Sequence, residues 1–180
     1  NGYGCDAVKG ANVLRQCGAD FFGVACESEA QELYQAGIKE DILILGHTLG
    51  NQREELIRKG FIQTVGDLDY GRTLADYARD LGIPVRVHLK IDTGMHRLGI
   101  TSRDWAEMRS FCDDQFVHVE GAFSHFAVSD SFARNDQEFT FFQKNQFDQW
   151  LKEAEKQGIK IPFTHLAASS AIVNYPQWLK

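Results

Sequence analysis

A motif that recurs along the chain limits what it can fold into: a helical stretch ends in glycine, and a short β-rich run follows. Glycine suits the end of a helix because it adopts the left-handed backbone at little cost. A sixth β-rich run is preceded by two aspartates instead of a glycine. The six runs are residues 21–25, 42–45, 61–65, 85–91, 116–126 and 161–165. Together they predict six βα units.

Short apolar strands that alternate with helices indicate a parallel sheet covered by helices. An open doubly wound sheet is one such fold, but no GxGxxG loop follows any of the strands. A closed (β/α)8 barrel needs eight strands and about 250 residues. We therefore predict an incomplete (β/α)8 TIM barrel, in which this chain supplies strands 2–7. Residues 1–180 would be the central part of one barrel domain, with one strand expected before Asn1 and another after Lys180.

Composition excludes several classes of protein. The net charge of −6, with acidic and basic residues interspersed, argues against a nucleic-acid surface. No apolar run is long enough to span a membrane. The four cysteines lack CxxC or zinc-ligand spacing, so we expect reduced thiols in a cytoplasmic protein and no metal site.

The run 85–91 alternates between apolar and basic residues, the basic ones being Arg86, His88 and Lys90. If the apolar face packs against helices, the basic face looks into the barrel, where its charges are costly unless anions meet them. A strand half exposed to solvent is the alternative. The Asp-Thr-Gly turn that follows would present Arg97 at the barrel mouth.

Three further groups are expected at the same end of the barrel. His125 closes the run 116–126, although strict alternation leaves its direction open. Ser169 and Ser170 stand at a probable helix start, where free backbone N–H groups favour phosphate. Tyr3 lies in a loop that precedes the first helix. With Arg97 and Lys90, these residues predict a site for a small phosphate-bearing molecule.

Four segments resemble one known family. Residues 88–100, HLKIDTGMHRLGI, look like the signature of bacterial alanine racemases, the fold-type III enzymes that depend on pyridoxal 5'-phosphate (PLP). Residues 1–4, NGYG, are similar to the end of the family's Lys-Ala-Asn-x-Tyr-Gly motif. Residues 121–126 and 165–170 resemble later family segments in the same order. The resemblance implies the N-terminal barrel domain of such an enzyme, without its C-terminal β-domain.

The resemblance also implies roles for single residues. Tyr3 and Ser170 would hold the cofactor phosphate, and Arg97 would contact the cofactor's phenolic oxygen and the substrate carboxylate. His125 would support an arginine that faces the pyridine nitrogen. Lys90 matches a position that is often carbamylated, which would suit a desolvated lysine beside a cation.

Ser169 departs from the family pattern, because many members have asparagine there, so its supporting role is in doubt. More important, no catalytic residue is expected in this chain. The PLP lysine should stand two residues before Asn1, and the second base is a tyrosine on the C-terminal β-domain of the partner subunit.

The resemblance implies an intact parent that is a cytoplasmic, homodimeric isomerase. It would interconvert L- and D-alanine through a PLP imine and supply D-alanine for the cell wall. The 180-residue chain alone is expected to be inactive. A serine racemase of the vancomycin-resistance type, a non-catalytic PLP-binding barrel protein and a barrel fragment that binds nothing are the alternatives. We expect a small amino acid as substrate and no nucleic acid as partner.

Overall fold

The structure, a computed structural model, describes residues 2–50, 52–101, 104–166 and 168–178, apart from the side chain of Tyr3. Within these residues six strands alternate with seven α-helices. The strands are β1 Phe21–Val24, β2 Asp41–Ile44, β3 Ile62–Val65, β4 Val85–Lys90, β5 Val117–Phe123 and β6 Phe163–His165. The helices are α1 Ala7–Gln16, α2 Glu27–Gln35, α3 Gln52–Lys59, α4 Leu68–Leu81, α5 Trp105–Cys112, α6 Arg134–Lys156 and α7 Ser169–Asn174. All six predicted strands are confirmed.

The glycine-ended repeat has the expected geometry. The glycines after α1, α2, α3, α4 and α6 all have positive φ, for example 93° at Gly18 and 66° at Gly82. After α2, the Ile38 amide donates a hydrogen bond back to the Leu33 carbonyl of the last helical turn, at 3.1 Å. Each helix therefore ends within a residue or two of where the sequence indicates, which sets the start of the next strand.

The strands lie side by side in the order of the sequence, β1 to β6. Parallel register is seen between β1 and β2, β2 and β3, and β5 and β6. A doubly wound sheet reverses its strand order at a switch point, whereas a barrel adds strands sequentially. The chain therefore has the fold of an incomplete (β/α)8 barrel, as predicted.

Two backbone hydrogen bonds join β4 to β5. The Val85 amide donates to the Phe116 carbonyl at 2.9 Å, and the Ile91 amide donates to the Phe123 carbonyl at 2.8 Å. Between these bonds β5 uses one residue more than β4, so β5 contains a bulge. Because a bulge shifts the alternation of side chains, the direction of residues after β5 does not follow from simple alternation.

The chain divides into two compact units. The first comprises Asn1–Thr64, Arg72–His88 and Gln115–His118, and the second comprises Val65–Gly71, Leu89–Asp114 and Val119–Lys180. Buried aliphatic residues such as Leu43, Ile44 and Leu74 form the core of the first unit. The second unit contains every predicted site residue except Tyr3. No helix in the described part of the chain is long and apolar enough to cross a membrane.

Candidate functional site

The loop that follows β4, residues 92–99, is closed at its base by backbone hydrogen bonds. The Ile100 amide donates to the Lys90 carbonyl at 2.7 Å, and the Asp92 amide donates to the Ile100 carbonyl at 3.1 Å. Ile91 and Ile100 thereby form an isolated parallel bridge. Arg97 consequently lies in a short loop whose two ends are fixed at the end of β4.

The buried carboxylate of Asp92 organises the interior of this loop. Its Oδ1 accepts hydrogen bonds from the amides of Gly94 at 2.9 Å and His96 at 3.1 Å, and its Oδ2 lies 3.3 Å from His96 Nδ1. Burial alone would raise the pKa of Asp92, but the two amides, with the charges of His96 and Lys90, hold it below its ordinary value. Asp92 is therefore an ionised anchor for the loop.

Two glycines permit the tight path of the loop. Gly99 has φ 145°, and a Cβ built there would lie 2.6 Å from the Asp92 backbone nitrogen. Gly94 has φ 131°, and a Cβ there would lie 3.0 Å from Cζ of Phe139 on α6. Any other residue at these positions would meet both strain and contact, so the loop is restricted to one course.

Lys90 and Arg97 are the two cations at this end of β4. Lys90 is 5% exposed, and its Nζ lies 5.4 Å from the centroid of the Phe123 ring. Burial lowers the pKa of Lys90; the charge of Asp92 opposes this shift and that of Arg97 adds to it. Arg97 is exposed and makes no ion pair with any residue that the structure describes. An exposed guanidinium without a carboxylate partner is suited to an anionic ligand.

The other two basic residues of β4 alternate with the buried Val85, Val87 and Leu89, and one of them meets an anion that the protein itself supplies. Arg86 Nη1 lies 2.7 Å from the carboxylate of Asp41 and donates to the Gly60 carbonyl at 3.0 Å. His88 is 1% exposed and stacks on Phe21 at 5.7 Å. Burial lowers the pKa of His88 to about 4, so this side chain is neutral near pH 7. Asp41 therefore balances the charge of Arg86, and burial keeps His88 neutral, so neither group requires an anionic ligand.

His125 lies beyond the end of β5 and is half-buried. Burial lowers its pKa, and the positive charges of Lys90 and Arg97 lower it further. The structure thus brings His125 within electrostatic reach of the two predicted cations, as the sequence analysis expected. Its imidazole is biased towards the neutral form, which can both donate and accept a hydrogen bond.

Ser170 and Ser169 open the short helix α7. The Ser170 hydroxyl lies 2.7 Å from that of Ser129, which is buried and whose carbonyl accepts from Asn174 Nδ2 at 3.0 Å. Ser169 is exposed and is the first residue of α7, after the N-cap residue Ala168. Ser170 is therefore the better held of the two hydroxyls. The prediction for the Tyr3 side chain falls outside the described part of the chain.

Comparison with known proteins identifies the family of this chain. The family described as "Alanine racemase, N-terminal domain" matches residues 1–180. The chain belongs to the alanine racemase family. Alanine racemases are PLP-dependent isomerases, so the resemblance of the four sequence segments is confirmed at the level of family and cofactor.

Individual alanine racemases and one related enzyme support this assignment. The alanine racemase of Clostridium perfringens is 37% identical over 179 residues, which is 98% of this chain and 46% of that protein. The structure of an alanine racemase from Clostridium difficile in complex with cycloserine matches with a TM-score of 0.91 and 32% identity, over 97% of this chain and 48% of that one. An amino-acid racemase of Enterococcus faecalis is 36% identical over 98% of this chain and 24% of that protein. The chain thus spans about half the length, or less, of the relatives it matches.

Sequence reasoning missed the buried polar side chains that support the candidate site. The fully buried Gln143 of α6 donates to Thr93 Oγ1 at 3.2 Å and to the His125 carbonyl at 3.1 Å. Thr93 Oγ1 in turn lies 2.8 Å from Ser124 Oγ. One signal was available: Gln143 precedes the buried Phe147 by one helical turn, so it falls on the face of α6 that packs inwards.

Proposed function

We propose that this chain is the cofactor-binding barrel part of an alanine racemase that interconverts L- and D-alanine with PLP. One observation carries the proposal: the closed loop after β4 holds an exposed, unpaired Arg97 beside the buried Lys90 and His125, within the residues that the structure describes. This arrangement supplies a fixed positive charge for the carboxylate of a small amino acid. Family membership supports the assignment of that amino acid as alanine.

The donor set of the second unit fits PLP, which carries a phosphate and an ionised phenolic oxygen. Arg97 would donate to the phenolic oxygen and the substrate carboxylate, while the Ser170 hydroxyl would hold the phosphate. Ser170 has the fixed orientation that this role needs, because Ser129 holds it at 2.7 Å. His125 and Ser169 would lie behind these groups. When bound, PLP supplies an electron sink for the charge left on the substrate α-carbon.

We propose further that Lys90 is carbamylated in the working enzyme. A buried amine with a lowered pKa retains the lone pair that attacks CO2. A C–N bond forms, one C=O π pair moves to oxygen, and the nitrogen loses a proton to solvent, which leaves a carbamate anion. That anion would pair with Arg97 and hold its guanidinium in place. With 13C-labelled bicarbonate, a carbamate carbon signal is expected in the protein and not in a Lys90→Ala variant; a signal unchanged in that variant would refute the assignment.

The proton-transfer groups are proposed to lie outside these 180 residues. A lysine two residues before Asn1 would bind PLP and act on one face of the substrate, and a tyrosine from the C-terminal β-domain of the partner subunit would act on the other. Residues 1–180 would then form the central part of one barrel domain in a homodimer. We also propose a cytoplasmic location and a role in supplying D-alanine for the cell wall.

The test compares the longer protein that contains this chain with the 180-residue chain itself. With PLP, the longer protein should convert L-alanine to D-alanine, as measured by a D-amino-acid oxidase assay, and the chain alone should not. Conversion by the isolated chain would show that the proton-transfer groups have been misassigned. No conversion by the longer protein would exclude an alanine racemase.

A second candidate substrate is serine, the alternative that the resemblance left open. The Enterococcus faecalis relative, at nearly the same identity, is named as an amino-acid racemase and not as an alanine racemase, so family membership alone does not fix the amino acid. Parallel kinetics of the longer protein with L-alanine and L-serine decide between them. We expect kcat/KM to favour alanine, and a higher value for serine would replace alanine in the proposal. Sedimentation of the same preparation tests the homodimer.

A further inference from the structure

The buried amide of Gln143 joins the two loops that carry the candidate site. Its Nε2 donates to Thr93 Oγ1 at 3.2 Å, in the loop after β4, and to the His125 carbonyl at 3.1 Å, after β5. Its Oε1 accepts from the Ala127 amide at 2.9 Å. Gln143 is 0% exposed, and its bond to Thr93 is fully buried while the other two are part-buried. One side chain on α6 therefore fixes backbone and hydroxyl groups of both loops.

A direct contact between the same loops reinforces this connection. Thr93 Oγ1 and Ser124 Oγ lie 2.8 Å apart, and both side chains are buried. The Thr93 hydroxyl thus has two partners, the Gln143 amide on α6 and the Ser124 hydroxyl after β5. Displacement of the loop after β4 relative to the segment 124–127 would break hydrogen bonds that water cannot replace in a buried site.

Packing against α6 restricts the loop in the opposite direction. A Cβ at Gly94 would already lie 3.0 Å from Phe139 Cζ and 3.9 Å from Gln143 Cγ. The loop therefore packs so closely against α6 that a side chain at Gly94 would collide with Phe139, while the Gln143 bonds oppose movement away from the helix. Arg97 lies three residues further along this loop, so the contacts between the loop and α6 also restrict the position of Arg97.

We infer that Gln143 is a positioning residue for the proposed racemase: it sets the separation between the Arg97 loop and His125 without contacting the substrate. This inference rests on the proposed function. Only an amide carries two N–H donors and one acceptor in a single plane, which matches its three partners. Glutamate would place a carboxylate against the His125 carbonyl, and leucine would remove the bonds to the His125 carbonyl and the Ala127 amide and one of the two bonds of Thr93.

The test uses steady-state kinetics of the longer protein with L-alanine. Gln143→Leu and Gln143→Glu should each lower kcat/KM by about tenfold to a hundredfold, mainly through a higher KM, because the arginine that binds the carboxylate is displaced. Thr93→Val, which keeps the shape of the side chain and removes its hydroxyl, should shift KM in the same direction by a smaller factor. The matched control is Thr140→Val. Thr140 is also 0% exposed on α6, but among the described residues its hydroxyl donates only to the Asp136 carbonyl of the same helix.

A mutant cycle with Arg97 separates positioning from general damage to the fold. If Gln143 acts through Arg97, the KM effect of Gln143→Leu should largely disappear in an Arg97→Lys background. An equal effect in both backgrounds overturns the inference, as do Gln143 and Thr93 variants with the kinetics of Thr140→Val. An unsubstituted protein without racemase activity would instead defeat the proposed function, so the two failures are distinguishable.

Discussion

Basic residues lie near both ends of β4, but their ion pairing and burial differ. Near its start, Arg86 is paired with Asp41 at 2.7 Å and His88 is neutral through burial. At its end, Lys90 is buried with a lowered pKa, and Arg97 has no ion-pair partner among the described residues. A basic residue in a barrel strand is therefore not by itself a sign of a binding site. What distinguishes the proposed binding end is a cation that has no anionic partner among the described residues.

The largest expected effect distinguishes the two arginines by activity. Arg97→Lys in the longer protein should lower kcat/KM for alanine by about a hundredfold or more, because lysine cannot offer a planar pair of donors to a carboxylate. Arg86→Lys should leave it within about twofold, since its partner Asp41 is part of the protein and a lysine can still pair with it. Both are measured by the same racemase assay. Equal losses at the two positions would remove the distinction between the ends of β4.

A second experiment compares the glycines that flank the two ends. Gly99→Ala should destabilise the protein by about 2–4 kcal/mol, because φ is 145° and the new Cβ would meet the Asp92 backbone nitrogen. Gly82→Ala, before β4, should cost only about 1 kcal/mol, since φ is 66° and nothing lies within 4 Å of the Cβ position. Urea denaturation measures both. Similar costs would show that the loop after β4 is not held as tightly as its hydrogen bonds indicate.

The smallest effect concerns pH and the start of β4. The pKa of His88 is about 4 in the fold against 6.5 for the free side chain, so between these values the unfolded state binds more protons. The contribution of His88 is complete above pH 6.5 and falls by about 2–3 kcal/mol as the pH approaches 4. His88→Gln should flatten this part of the stability profile. Parallel profiles for His88→Gln and the unsubstituted protein would contradict the buried neutral histidine.

Much of the fold was predictable because its signals are local. Five strands follow a helix-closing glycine, and the backbone preference of glycine requires no knowledge of distant residues. The same holds for Arg97, whose position after a sharp Asp-Thr-Gly turn follows from a short segment. The bulge in β5 was not predictable, because it is defined only by its pairing with β4.

The supporting half of the site was not predictable from the sequence. The aromatic residues of α6 suggest that they form its packed face, yet Phe142 is 49% exposed whereas Thr140 and Gln143 are fully buried. A buried glutamine is stable only when partners satisfy its amide, and those partners lie in loops 16 and 50 residues away along the chain. Likewise, the sequence of β4 does not predict that Arg86 pairs with Asp41, or that Arg97 pairs with no carboxylate among the described residues.

The bridge between Ile91 and Ile100 makes the segment between them behave as a small macrocycle. In a macrocycle the number of atoms around the perimeter determines where each substituent points. An inserted or deleted residue within 92–99 would therefore reorient the guanidinium of Arg97, whereas an insertion in the helix that follows would leave the perimeter unchanged. Evolutionary or engineered variation in length should accordingly be tolerated outside this perimeter and rejected inside it.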